Sequence, residues 1–168
     1  MSKSKRAIVV FPKFENIFHI EQLRKQFDPL AMTIEPHITL VFPFESDLLV
    51  ESLQAHIRQA IQGLSPFPIR LHGITGSDDE YLFMNIKRGN DQLIELHDRL
   101  YSGILAEYLR VEHTYVPHLT VGRLKGKATF LTALEASQQM DAIFQTIIEE
   151  VAVYRVDDKK PIEAIFRL

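Results

Sequence analysis

The sequence predicts an α+β fold of two pseudo-symmetric lobes, each an antiparallel sheet with helices on its outer face, with a central cleft between them. Segments of strand and helix period alternate as strand, helix, strand, helix, strand, and that order occurs twice. At the same place in each round stands a matching segment, PHITL from Pro36 and PHLTV from Pro117. The chain of 168 residues, 46% hydrophobic and 24% charged, has the composition of a folded protein with a real core. It is too short for two ordinary domains. A single bilobal domain is expected, with pseudo-repeat halves at about residues 5–75 and 80–168.

The elements follow in order. RAIVVF is a short β-branched run that Pro12 stops, so it reads as a buried strand. Ile20, Leu23 and Phe27 mark a helix over 17–27, closed by Asp28-Pro29. IEPHITLVFPF is the first motif strand. Ser46 or Asp47 is placed to cap a helix with Leu49, Leu53, Ile57 and Ile61 on one face, ended by Gly63. FPIRLHGI is a strand, and GSDDE is the expected join between halves. The second round has YLFMNIK as a strand and a helix capped by Asn90 or Asp91, with Leu93, Leu96, Leu100, Ile104 and Leu105 inward. TYVPHLTVGRL is the second motif strand, and a shorter helix covers 130–137. QTIIEEVAVYRV reads as one long strand, which Asp157-Asp158 turns into IEAIFRL.

Composition narrows the function classes. A net charge of −3 offers no general attraction to nucleic acid, so a surface for extended duplex is disfavoured, whereas a small phosphorylated ligand needs only a few local donors. With no cysteine there is no disulfide, thiolate metal site or cysteine nucleophile. The basic N-terminus is followed by too short an apolar run for a signal peptide, and no segment has the length of a membrane span. A cytoplasmic protein, without membrane association and monomeric, is the expectation.

In a strand, alternate side chains share a face, so His37 and Thr39 project together, as do His118 and Thr120. Ile38, Leu40, Leu119 and Val121 then point into a core. Across a cleft, two imidazoles and two hydroxyls would meet. One neutral histidine can take a proton while a charged one gives a proton, which is the division of labour that displacement at phosphorus requires. Threonine hydroxyls can hold non-bridging oxygens. A lone strand histidine is more often structural, but recurrence reverses those odds. His19, His56, His72, His97 and His113 have no repeated context, and His97 reads as a packed helix residue. Phe42 and Tyr115 are the candidates for stacking on a base, among the aromatics Phe11, Phe14, Phe42, Phe44 and Tyr115 near the motifs. No His-Glu-x-x-His or thiolate set suggests a metal, so metal ligands: none.

The paired segments His37-Ile38-Thr39-Leu40 and His118-Leu119-Thr120-Val121 resemble the signature of the two-histidine phosphoesterases, which include 2′-5′ RNA ligase-like proteins and cyclic phosphodiesterases. The resemblance implies a bilobal LigT-like fold, no cofactor, metal-independent hydrolysis of a 2′,3′-cyclic phosphate or related phosphodiester, and a nucleotide or RNA terminus as partner, with a role in RNA processing. It also implies His37 as the acid for the leaving oxygen and His118 as the base for water. Arg123 is a phosphate-ligand candidate by the same resemblance. Its offset from His118 requires a bulge near Gly122 to return it to the histidine face. A module that binds nucleotide or RNA ends with little turnover is the alternative.

Overall fold

The computed structural model describes residues 3–159 and 161–168. Strands β1 (Ser4–Val10), β2 (Ile38–Ser46), β3 (Phe67–Ser77), β4 (Tyr81–Arg88), β5 (His118–Arg123), β6 (Phe144–Ile148), β7 (Glu150–Arg155) and β8 (Ile162–Arg167) alternate with helices α1 (Phe18–Phe27), α2 (Val50–Ile61), α3 (Asn90–Leu100) and α4 (Lys127–Ser137). A 3₁₀ helix, Gly103–Tyr108, follows α3. The strands form one sheet in the order β6-β3-β4-β5-β2-β1-β7-β8, antiparallel throughout.

The two motif strands sit side by side at the centre, where the ladder between them is registered at a single pair, Ile38 opposite Leu119. Four strands lie on either side of this seam. The lobes predicted from sequence are therefore the two wings of a curled sheet joined at the motifs. GSDDE stands at the boundary between the two halves of the chain but does not join the wings. It is the hairpin between β3 and β4 inside one wing, with Asp78 and Asp79 at positive φ.

The wings are not the two halves of the chain. In the first half, strand, helix, motif strand and helix are followed by β3, which crosses over to pair with β4; in the second half the same order is followed by β6, which stays in its wing beside β3, and then by β7, which crosses over to pair with β1. The expected long strand QTIIEEVAVYRV consequently breaks at Glu149. Its first part is β6, at one sheet edge beside β3, and its second is β7, in the other wing. Periodicity cannot reveal this, because both pieces are apolar enough to continue one strand.

Helix packing repeats the exchange. Helix α1 packs on β5 and α3 on β2, so each covers the motif strand of the other half. Ile20 on α1, Leu93 and Leu96 on α3, and Ile38, Leu40, Leu119 and Val121 on the motif strands are all fully buried together. Burial of such side chains stabilises by roughly 1.5–3 kcal/mol each relative to exposure. Gly122 permits close approach, since a Cβ there would lie 3.0 Å from Cβ of Phe27 and 2.8 Å from Cδ1 of Leu82.

The predicted caps differ. Helix α2 starts after Leu49 in extended conformation, with no side-chain cap; Ser46 ends β2 with its hydroxyl buried and, among the described residues, without a hydrogen-bond partner. Leu49 is exposed, not inward. Helix α3 starts after Gly89 at φ +94°, and Asn90 turns its amide back to donate to the Ile86 carbonyl. Tight approach of Gly89 to the β3 backbone and Ile69 leaves no room for a capping side chain. Ile104 lies at the surface because α3 gives way to the tighter 3₁₀ turn after Leu100.

Candidate active site

His37 immediately precedes β2, and His118 begins β5. The alternation expected of the motifs is present: Ile38, Leu40, Leu119 and Val121 are buried, while His37, Thr39, His118 and Thr120 are half-buried. With Ile38 opposite Leu119 in an antiparallel pair, one residue in either direction sets His37 beside Thr120 and Thr39 beside His118. The two motifs form one four-residue platform across the central seam.

The proline before each histidine has a structural explanation. Nδ1 of His37 lies 2.8 Å from the Glu35 carbonyl, and Nδ1 of His118 lies 2.7 Å from the Val116 carbonyl. A carbonyl only accepts, so Nδ1 carries the hydrogen in both rings and Nε2 is left to give or take a proton. Pro36 and Pro117, both buried, fix φ of the residue between each accepting carbonyl and its imidazole. The same tautomer is set twice by the same device.

Burial lowers the pKa of both histidines, against the carbonyl bonds, which raise it. For His37 the Arg24 guanidinium and His118 lower it further, whereas Asp28 raises it. Arg24 is itself buried, its Nε donating to Asp28 Oδ2 at 2.8 Å, and Asp28 Oδ1 accepts the Leu30 N–H. This pair closes α1 and anchors the loop that delivers His37. On the other side, the Tyr115 hydroxyl donates to the Thr39 carbonyl at 2.8 Å and ties the loop before His118 to β2.

A cavity of about 410 Å³ opens beside the platform, with Thr39, Thr120 and His118 at its wall. Phe42 and Tyr115, the two stacking candidates, both line it. Tyr115 already has His97 stacked on it, with centroids 3.9 Å apart and planes within 7°. Phe14 and Phe44 belong to the core, and Phe11 stands 6.1 Å from the His37 ring. Burial pushes the Tyr115 hydroxyl far above the ordinary tyrosine pKa and raises that of Tyr101 as well.

Arg123 is placed differently from expectation. The bulge exists: Leu82 pairs with Gly122 and Phe83 with Thr120, which leaves Val121 as the extra residue and turns Arg123 back to the Tyr81 face. Its Nε, however, donates to Glu80 Oε1 at 2.6 Å, and its guanidinium lies over Tyr81, outside the residues that line the cavity. Its guanidinium is engaged by Glu80, a pairing that sequence could not show because Glu80 comes beside Arg123 only through the β4–β5 ladder.

Several cavity residues carried no functional signal in sequence. Phe83 stacks on His118 at 3.7 Å, and Tyr81 stacks on Phe83. Their alternation in YLFMNIK was the available clue, needing only the knowledge that β4 pairs with β5. His97 is packed, as its helix position suggested, but it also lines the cavity with Tyr101, Arg110 and His113. Among the described residues no group of three or more His, Cys, Asp and Glu side chains is placed to hold a metal ion.

A curled antiparallel α+β sheet with paired histidine motifs at its seam defines the class as a two-histidine phosphoesterase fold. Residues 11–160 match the family model of the 2′-5′ RNA ligase superfamily, and the chain belongs to that family. It is 28% identical over 160 residues to a Bacillus licheniformis protein provisionally named a phosphoesterase, covering 92% of each chain. A Geobacillus protein with the same provisional name is 30% identical over 122 residues, 71% of this chain and 69% of that one. Among solved structures, E. coli LigT complexed with 3′-AMP is similar in fold with a TM-score of 0.66 at 14% identity, covering 99% of this chain and 98% of the other.

Proposed function

We propose that the protein is a metal-independent phosphodiesterase that opens 2′,3′-cyclic phosphates or related nucleotide and RNA-end phosphodiesters. The observation that carries this reading is the matched pair of imidazoles, each with Nδ1–H held by the carbonyl two residues earlier and Nε2 without a hydrogen-bond partner among the described residues. Membership of a phosphoesterase superfamily supports it.

In the unliganded protein both histidines are less basic than usual, so both are largely neutral at neutral pH. A base is thus ready. The acid is made on binding, because a phosphate anion beside an imidazole favours its charged form and recruits a proton. Thr39 and Thr120 donate to the non-bridging oxygens and hold phosphorus between the two rings. Nε2 of one histidine then takes a proton from water as its oxygen attacks phosphorus. Nε2–H of the other protonates the departing sugar oxygen as the P–O bond breaks.

Following the resemblance, His37 is the acid and His118 the base. An ester whose leaving group departs without a proton, such as a p-nitrophenyl phosphodiester, separates the roles: His37→Ala costs little there, whereas His118→Ala keeps its full cost. On a cyclic nucleotide each substitution lowers kcat by about 10²–10⁴-fold, and the double variant is much less impaired than the product of the two. Thr39→Val and Thr120→Val cost less, by about 1.5–3 kcal/mol each for a hydroxyl bonded to charged phosphate. Activity survives a chelator. Folded single variants with normal turnover would sink the acid–base assignment and favour a binding module, and loss with chelator restored by zinc or manganese would replace the metal-free reaction.

A further inference from the structure

We propose that the cavity contains a second anion subsite, formed by the Arg110 guanidinium and the Tyr101 hydroxyl. It takes a phosphate on the ligand's 5′ oxygen, distinct from the phosphate between the histidines. The preferred ligand is then a nucleotide with two phosphate groups. This rests on the phosphodiesterase reading for the position of the first phosphate.

Arg110 and Tyr101 line the same cavity as His118, Thr39 and Thr120. The Arg110 guanidinium lies 5.7 Å from the centroid of the Phe42 ring, and the Phe42 N–H donates to the Tyr101 hydroxyl at 3.0 Å. Phe42 therefore links the two groups. Among the described residues Arg110, like Arg58, Arg70, Arg88 and Arg167, has no carboxylate partner, whereas Arg6, Arg24, Arg99, Arg123 and Arg155 have one; Arg110 is the arginine of the cavity lining. A cation held on an aromatic face and not neutralised keeps its donor fork for a ligand.

Tyr101 supplies the second donor. It is only 6% exposed, and its oxygen accepts from Phe42 while its own proton has no acceptor among the described residues. Burial keeps the phenol protonated. A buried hydroxyl with an unspent proton and a guanidinium without a carboxylate partner, both lining one cavity and both in contact with Phe42, can supply two donors to an anion. Among the described residues the one acidic side chain of the cavity lining is Asp78, in the β3–β4 turn, where its Oδ2 accepts from the Ser77 hydroxyl. A cavity of about 410 Å³ falls in the size range of small-molecule sites. A ribose and base between the two donor groups would lie along Phe42, Phe83 and Tyr115.

The test is calorimetric affinity, which does not depend on turnover. Three ligands share a 2′-phosphate: 2′-AMP, adenosine 2′,5′-bisphosphate, and an adenylyl dinucleotide ending in a 2′-phosphate. The wild type is expected to bind at least one two-phosphate ligand about tenfold or more tightly than 2′-AMP, the size of a charge-assisted bidentate contact. Tighter bisphosphate identifies a free nucleotide as the source, and tighter dinucleotide a chain end. Arg110→Ala brings the ratio close to one, Arg110→Lys keeps part of it, and Tyr101→Phe lowers it less than Arg110→Ala. A wild-type ratio near one, or a ratio that survives Arg110→Ala, overturns the subsite. A protein that shows the ratio but turns over nothing leaves the subsite and removes the hydrolase reading. An active enzyme with a ratio near one does the reverse.

Discussion

At the residue scale, the two imidazoles are prepared alike and perturbed alike, and the pH profile should record it. The base must be neutral, so activity falls below its pKa; the acid must be charged, so activity falls above its pKa. Desolvation puts both free-enzyme values below the ordinary 6.5. The profile of kcat/KM is therefore expected to be a bell whose maximum lies on the acid side of 6.5, with apparent values that belong to the pair. Bound phosphate raises the pKa of the acid, so the alkaline limb of kcat should lie at higher pH than that of kcat/KM. A kcat/KM that still rises above about pH 8, beyond the imidazole range, would show that some other group is the base. The identities of His37, Thr39, His118 and Thr120 were legible because the motif is written twice and its parity is local. Arg110, Tyr101 and Phe83 were not, because each reaches the cavity through a pairing or loop path that no window of sequence contains.

At the element scale, the seam between β2 and β5 is short, and its geometry depends on the helices laid across it. Helix α1 approaches β5 so closely that Gly122 has no space for a methyl group against Phe27 and Leu82. Gly122→Ala should force α1 or the β4–β5 bulge to shift. Overpacking of this kind costs typically about 1–3 kcal/mol. Thermal unfolding should fall accordingly, and turnover should fall further than the loss of folded protein explains, since α1 carries the Arg24–Asp28 pair behind His37. Lower stability with unchanged turnover per folded molecule would show that the seam tolerates the shift. Strands and helices were readable here from apolar period, as far as their existence and order. Their ends were set by tertiary approach: the backbone of β3 against Gly89 displaced the predicted cap of α3, and the crossing between wings cut one apparent strand at Glu149.

At the scale of the whole molecule, the first half of the chain gives its last strand, β3, to the wing built on the second half, and the second half gives its last two, β7 and β8, to the wing built on the first. Two wings joined by so short a ladder would, if each were made from contiguous chain, be free to unfold separately. Exchange of β3 and β7 removes that freedom, because neither wing can form without residues from both halves. A lesion far out in one wing tests this. Arg6 on β1, 4% exposed, donates through Nε and Nη2 to Glu163 on β8 and through Nη1 to the Leu48 carbonyl. Glu163→Ala leaves a buried guanidinium without its carboxylate, a loss of about 3–5 kcal/mol where one partner of a buried pair is removed. Hydrogen exchange of core amides in β1 and β7, and in β3 and β4, reports the two wings separately. Linked wings predict that Glu163→Ala lowers the opening free energy of both sets by the same amount, with one unfolding transition by every probe. Protection lost only in β1, β7 and β8, with β3 and β4 unchanged, would mean that the wings unfold independently despite the exchange, and that the platform at the seam is held by local packing alone.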